Sequence, residues 1–179
     1  SSVTAISWQT SGLNKREECG KRQIPFMSVA DKTNRKKTYV RQFSVMLPNR
    51  VGALSALSNL LSRRKIDVIG LSVQDSRDAT VARLVLSDPD SAEELFMEQG
   101  VAFTLSELVV VKMKEAGTDL KRCLSVLHEA ETNLDYAFSL VVQHQGHSLL
   151  AIYLEDCEFG ASILNQAGLT VIYEDELLR

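Results

Sequence analysis

The sequence predicts an α+β fold built from two consecutive βαββαβ units, each with an antiparallel four-stranded sheet and two helices on one face. From Tyr39 onward, segments with apolar residues at helical spacing alternate with short β-rich runs. The order of these segments repeats after about 70 residues, which is too long for a solenoid repeat. A length of 179 residues with 45% apolar content also suits two small domains.

Residues 1–38 do not share this pattern. They show neither the helical nor the strand period, and polar and basic residues dominate them. Residues 1–41 carry nine lysines and arginines against three acidic residues, although the whole chain has a net charge of −3. We therefore expect a basic, extended or disordered arm at 1–38, a first domain at 39–106 and a second domain at 107–179.

The first unit begins with a β-rich run from Tyr39 to Leu47 that ends at Pro48 and Asn49. Apolar residues then recur at helical spacing and predict one buried helical face, consisting of Val51, Leu54, Leu57, Leu60 and Leu61. The later elements of this unit are predicted to be strands at 66–73 and 80–86, a helix at 91–99 and a strand at 101–105.

The second unit shows the same order of elements. It is predicted to contain a strand at 108–113, a helix at 118–130, strands at 133–143 and 148–154, a helix at 157–166 and a strand at 169–173. Gln145 and Gly146 predict the hairpin turn between the two middle strands. The apolar stripe of the first helix is expected to contain Leu120, Cys123, Leu124 and Leu127.

The two units are expected to pack against each other. A sheet of about 70 residues buries a limited fraction of its surface, and its edges and open face need cover. We therefore predict one continuous sheet, or two sheets that face each other. The remaining free edges also favour a homodimer.

The segment from Leu47 to Leu54 has the composition of a ligand-binding loop. Gly52, in the predicted first helical turn, lets a ligand approach the backbone closely. The free N–H groups at a helix start suit a carboxylate, and Asn49 is placed either to cap the helix or to meet an ammonium group. The same residues also suit a purely structural role, in which Asn49 caps and Gly52 permits close packing.

These features resemble the ACT domain. The resemblance is carried by a strand, a polar residue, Gly three residues later, an apolar helix, and the strand Ile66-Asp67-Val68-Ile69-Gly70-Leu71. It extends from Tyr39 to Leu178, because the second unit has the same frame, and it is nearest to free-standing proteins with two ACT domains. The resemblance implies two ferredoxin-like domains.

The resemblance also implies a function. ACT domains typically bind amino acids at domain–domain interfaces and regulate metabolic enzymes, so we expect a non-catalytic regulatory module. No metal or other cofactor is expected. The implied ligand-binding residues are Asn49, Arg50, Val51, Gly52, Ala53, Asp67, Val68 and Ile69. A possible second site would contain Glu115, Gly117, Thr118 and Asn133.

Two departures from the family pattern affect these sites. Asn49 stands where the family usually has Asp, which removes a charge partner for the ligand ammonium. In the second unit Thr118 takes the usual glycine position, with Gly117 one residue earlier. A structural or partner-binding ACT protein without ligand binding is therefore the alternative.

Other function classes fit less well. RNA-recognition domains share the βαββαβ order but stack bases on aromatic side chains of their central strands. In this chain the predicted strand at 101–105 contains one aromatic residue, Phe103. The chain after residue 41 has more acidic than basic side chains, and this net negative charge disfavours binding of nucleic acid. We find no nucleophile–base pair, phosphate loop or metal cluster that would indicate an enzyme. His144 and His147, which flank the second hairpin turn, are interpreted as solvated, and His128 lies on a predicted helix.

The cellular setting is inferred from composition. No segment approaches the ~20 apolar residues of a membrane helix, and the first residues do not resemble a secretory signal. The three cysteines are far apart and form no paired motif. A reducing, cytoplasmic location is the expectation.

Overall fold

The structure is a computed structural model, which describes residues 37–75 and 80–178. The predicted basic arm at 1–38 lies outside the described residues except for its last two positions. The elements of the described part are β1 (Val40–Leu47), α1 (Ala53–Arg63), β2 (Val68–Asp75), β3 (Thr80–Leu86), α2 (Pro89–Glu98), β4 (Phe103–Met113), α3 (Ala116–Glu129), β5 (Leu134–His144), β6 (His147–Leu154), α4 (Cys157–Gln166), β7 (Thr170–Ile172) and α5 (Glu174–Leu177).

The strands of the described part form one antiparallel sheet in the order β1-β3-β2-β5-β6-β4-β7. A further pairing between β1 and β4 closes six of these strands into a ring and leaves β7 paired with β4 alone. The two halves meet a second time where Gly70 of β2 pairs with Leu140 of β5. The prediction of one continuous sheet is therefore confirmed.

Strand β4 belongs to both halves of the chain. Its first residues, 103–108, pair with β1, and its last residues, 109–113, pair with β6 and β7. The α+β class is confirmed, but the prediction of two separate four-stranded sheets is wrong, because the strands expected at 101–105 and 108–113 are one. A continuous strand keeps the backbone groups of the junction paired.

Three apolar cores stabilise the described part. One lies between α1, α2 and the first half of the sheet, with Phe43 and Phe96 in edge-to-face contact. A second lies between α3, α4 and the second half and includes Cys123 and Leu127. The third uses the strand face turned away from α1 to α4 and contains residues from both halves. The two halves therefore bury apolar side chains in one common core.

The local predictions hold where a short motif specifies the structure. The helix expected at 157–166 is α4, and the hairpin turn between β5 and β6 occurs at Gln145 and Gly146, whose φ angles are 54° and 77°. Positive φ at both turn residues is the geometry that matches the twist of a two-residue hairpin.

Three expectations about apolar faces are wrong. Val51 precedes α1 and is 105% exposed, because the helix begins at Ala53. Leu120 and Leu124 of α3 are 42% and 47% exposed, so the buried stripe of that helix is narrower than predicted. Apolar spacing identifies one side of a helix, but the neighbouring elements decide how much of that side is covered.

The short helix α5, at the C-terminal end of the described part, is hydrogen-bonded to β1. Its first residue, Glu174, accepts hydrogen bonds from the backbone N–H and the guanidinium of Arg41. The backbone N–H of Glu174 also donates to the carbonyl of Thr38. Arg41 and Glu174 are 133 positions apart in the sequence.

Candidate functional site

The loop before α1 ends at a glycine with a left-handed backbone conformation. Gly52 is the N-cap residue, with φ of 88° and ψ of −4°. The N–H of Ala53 bonds to the carbonyl of Arg50 at 3.3 Å, and the N–H of Ala56 bonds to the carbonyl of Gly52 at 2.8 Å. No side chain of the described residues caps this helix, so the capping role considered for Asn49 is wrong.

The start of α1 is open to solvent. Asn49, Arg50, Val51 and Gly52 are exposed, and a Cβ atom at Gly52 would meet no described atom within 4 Å. The first turn of this 11-residue helix contains no acidic residue that would neutralise its positive end. Free N–H groups and an uncompensated helix dipole together favour an anionic group such as a carboxylate.

The predicted strand residues are divided between the two faces of β2 and its preceding loop. Asp67 is exposed, and its N–H donates to the hydroxyl of Ser87 at 2.8 Å. Val68 packs against the core beneath α1. Ile69 is buried in the core shared by both halves, on the opposite face, so its side chain does not point toward α1.

A groove of about 350 Å³ lies between α1 and β2, next to the predicted loop. Val68 is the predicted site residue that lines it. The other lining residues, which the prediction missed, are Leu54, Ser55, Leu57, Ser58, Asn59, Leu61, Leu71 and Leu84. Their apolar spacing was visible in the sequence but indicated a helix face, because spacing does not show where a face remains uncovered.

The second predicted site is not assembled. Glu115 and Thr118 line a cavity of about 220 Å³ between the start of α3 and β7. Gly117 borders a shallow depression along α3, and Asn133 lines a different cavity beside Asp156. The four residues lie in three surface depressions because the helix turns Gly117 away from its neighbours and Asn133 lies beyond the helix C-terminus.

The start of α3 also differs chemically from the start of α1. The carboxylate of Asp119 accepts hydrogen bonds from the N–H groups of Lys114 and Glu115 at 2.8 and 2.9 Å. This side chain places a negative charge in the first turn of α3, which disfavours an anionic ligand there. Of the two predicted sites, the loop before α1 is the one whose helix has no acidic residue in its first turn.

The cavity that contains Asn133 has a volume of about 920 Å³ and an acidic lining. Its carboxylates are those of Glu107, Glu131, Glu155, Asp156 and Glu158. Cys157 is also in the lining, and burial raises the pKa of its thiol to about 11. A thiol that remains protonated at neutral pH is poorly suited to nucleophilic catalysis, and the carboxylates disfavour an anionic ligand.

Residues 37–75 and 80–178 were compared with the requirements of a metal site and of a membrane-spanning helix, and they meet neither. This part of the chain contains no cluster of three or more His, Cys, Asp or Glu residues placed to hold a metal ion. None of its helices combines the length and the apolar character needed to cross a membrane.

Comparison with known proteins gives a family and a fold. A family model described as an ACT domain pair matches residues 38–179. No curated protein matches the sequence. The chain is similar to a protein from Bacteroides thetaiotaomicron, with a TM-score of 0.72 and 18% identity, over 80% of this chain and 98% of that one. It is also similar to the ligand-free regulatory subunit of aspartate kinase from Thermus thermophilus, with a TM-score of 0.51 and 12% identity, over 74% of this chain and 94% of that one.

Proposed function

This chain belongs to the ACT domain pair family, and we propose that it is a non-catalytic regulatory module that binds a free amino acid. The observation that carries the proposal is the open start of α1, which has no side-chain cap and no acidic residue in its first turn and which follows the exposed, left-handed Gly52. A helix start of this kind favours an anionic group, and the carboxylate of a free amino acid is such a group.

The proposed ligand-binding residues are those of the loop and the neighbouring strand: Asn49, Arg50, Val51, Gly52, Ala53, Asp67, Val68 and Ile69. Asp67 is exposed, but Val68 pairs with Leu86 whereas Leu47 pairs with Thr80, so Asp67 lies at the opposite end of the sheet from the loop and would serve a different part of the surface. Ile69 would contribute through its backbone, because its side chain is buried on the other face.

The regulated partner is proposed to be a metabolic enzyme. The Thermus thermophilus structure with a similar fold is the regulatory subunit of such an enzyme, an aspartate kinase. We propose a cytoplasmic location and two ACT domains at 39–106 and 107–179, a boundary that falls within β4.

We also propose a homodimer. Ring closure leaves the short β7 as the outer strand, so the expected free edges are largely absent in the described part. The exposed Leu120 and Leu124 of α3 are the better candidate contact. Light scattering that shows a monomer at high micromolar concentration would contradict a dimer.

The alternative is a structural ACT protein that has lost ligand binding. It is favoured by Asn49 at the usual acidic position and by the separation of Asn133 from Glu115 and Thr118, which line a different cavity. The two functions differ in one measurable property, which is binding of a free amino acid by the purified protein.

The test is a thermal-shift screen of the standard amino acids at millimolar concentration, followed by calorimetry. A ligand that binds the folded state raises the melting temperature. Gly52→Val should abolish this binding, because its side chain would stand over the free N–H groups. Gly100→Val is the matched control, since Gly100 also has positive φ and open space around it but ends α2.

The outcomes separate the alternatives. Binding by the wild type and by Gly100→Val, but not by Gly52→Val, is the expected result. If no amino acid binds the wild type, the structural function replaces the sensing function. If Gly52→Val binds as well as the wild type, the ligand site lies elsewhere in the chain.

A further inference from the structure

The groove between α1 and β2 has an unusually uniform lining. Six of its nine lining residues are aliphatic, namely Leu54, Leu57, Leu61, Val68, Leu71 and Leu84. The other three, Ser55, Ser58 and Asn59, are exposed, polar and uncharged. Among the described residues no charged side chain lines the groove, which distinguishes it from the acidic cavity and from the cavity at α3.

The groove exists because α1 leaves part of β2 uncovered. A register irregularity between Val68 and Gly70 places Val68 and Leu71 on the same face of β2, toward the helix. Val68 packs against the core, whereas Leu71 is 39% exposed beyond it. Leu84, which pairs with Leu71, forms the floor. Leu71 therefore remains accessible on the helix side of the sheet beside the half-buried Leu54 and Val68, above a buried aliphatic floor.

The groove is continuous with the open start of α1. Leu54 and Ser55 line it and also belong to the first helical turn, whose N–H groups have no partner within the helix. A helix rises ~1.5 Å per residue, so Ser58 lies about 6 Å further along the axis than Leu54. This is the scale of one amino acid that has its carboxylate at the helix start.

We infer that the ligand is an aliphatic amino acid whose side chain enters the groove between α1 and β2. This inference rests on the proposed function and specifies the chemical class of its ligand. An aliphatic side chain would cover Leu71 and replace water at an apolar surface. A lysine, aspartate or glutamate side chain would lose hydration in the groove without gaining a charged partner.

The inference predicts a graded specificity. In an apolar pocket one methylene changes affinity by about tenfold or more. Affinity should therefore increase from glycine through alanine and valine to leucine, and charged amino acids should bind at least about tenfold more weakly than leucine. Isothermal calorimetry of the full chain with each of these amino acids measures the series directly.

Two variants on the same face of β2 test where the side chain of the bound amino acid lies. Leu71→Ala removes a groove residue that is already partly exposed, so the fold should survive, and leucine affinity should fall by about tenfold. Val73→Ala is the matched control, because Val73 is 45% exposed and follows Leu71 on the same face but does not line the groove. Its leucine affinity should equal that of the wild type.

The results separate this inference from the function on which it rests. Binding of a charged or hydroxylated amino acid in preference to the aliphatic series would overturn the inference and leave the sensing function intact. Leucine binding that Leu71→Ala does not weaken would also overturn it. The failure of every standard amino acid to bind would instead overturn the sensing function itself.

Discussion

Gly70 of β2 lies opposite Leu140 of β5, at the seam where the first half of the sheet pairs with the second. A Cβ atom at Gly70 would lie 2.5 Å from Cδ2 of Leu140 and 3.2 Å from Cβ of Val85. Both neighbours belong to the core that the two halves share. The absence of a side chain at Gly70 is therefore what allows the strands to approach here.

Substitution of Gly70 should weaken this seam. Gly70→Ala inserts a methyl group into a packed core, and we expect the free energy of unfolding to fall by about 1–3 kcal/mol. In a Leu140→Ala background the overlap is relieved, so the same substitution should cost less. A double-mutant cycle measured by urea unfolding gives this coupling directly.

Gly117→Ala is the control for the change from glycine to alanine itself. Gly117 lies in the first turn of α3, and a Cβ atom there would meet no described atom within 4 Å. Alanine should be neutral or stabilise by up to about 1 kcal/mol at this position. Equal destabilisation by Gly70→Ala and Gly117→Ala would show that packing against Leu140 is not the cause.

The ion pair between Arg41 and Glu174 should contribute measurably to stability. Nη2 of Arg41 lies 2.9 Å from Oε1 of Glu174, and the Glu174 side chain is largely buried. Hydrogen bonding to Glu174 also raises the pKa of Arg41. Glu174→Ala leaves these donors unpaired, and we expect a loss of about 2 kcal/mol in urea unfolding.

The matched control for that loss is an exposed ion pair in the first half. Arg64 donates to Glu98 at the protein surface, where both side chains remain about half exposed. Glu98→Ala should change stability by less than about 1 kcal/mol. A similar loss in both variants would mean that burial does not strengthen the pair between Arg41 and Glu174.

The cap of α2 should make stability depend on pH. Asp88 accepts hydrogen bonds from the hydroxyl and the N–H of Ser91, and these bonds lower the pKa of its carboxyl group. Because the folded state holds the lower pKa, the stabilisation is present above the unfolded pKa of 3.8 and is lost as pH falls through the folded pKa.

Asp88→Ala should therefore cost about 1 kcal/mol at pH 7, and this difference from the wild type should shrink at about pH 3. Urea unfolding at the two pH values measures both effects. Glu94→Ala, on an exposed position of the same helix, should stay within about 0.5 kcal/mol of the wild type. A pH-independent difference for Asp88→Ala would contradict a charged cap.

The two described cysteines should react slowly in the folded protein. Cys123 is buried, Cys157 is half-buried, and burial raises the pKa of each thiol from 9.0 to about 11. At pH 8 the thiolate fraction is then about 100-fold lower than that of an ordinary cysteine. Labelling followed by peptide mass spectrometry should show faster modification of both after unfolding. Equal rates in the folded and unfolded protein would exclude this protection.

Much of the secondary structure could be predicted because it follows from neighbours in the chain. The hairpin at Gln145 and Gly146 needs two residues that tolerate positive φ, and α4 needs one Asp cap and an apolar stripe. The glycine before α1 was also identified, since a ligand loop at a helix start has a local pattern. The cap by Asn49 was wrong because Gly52 turns the backbone into α1 without a side-chain acceptor.

Tertiary structure decided the features that join distant residues. Whether the strands predicted at 101–105 and 108–113 are separate or continuous depends on which partner strands are available along β4. The ring closes through the pairing of β1 with β4, and Leu140 meets Gly70 across 70 positions of sequence. Apolar periodicity tells which side of an element is buried, but it does not identify the element that covers it.

The candidate site also combines features that follow from local sequence with features that depend on tertiary packing. Residues 49–53 could be placed at the start of a helix from the chain alone, because a glycine followed by an apolar helical period is a local pattern, and their role in ligand binding stays a prediction. The groove beside them arises where α1 fails to cover Leu71, and the predicted second site is dispersed because Asn133 follows the far end of α3. Local sequence determines the chemistry that each segment offers, whereas packing between segments decides which of those groups share one surface.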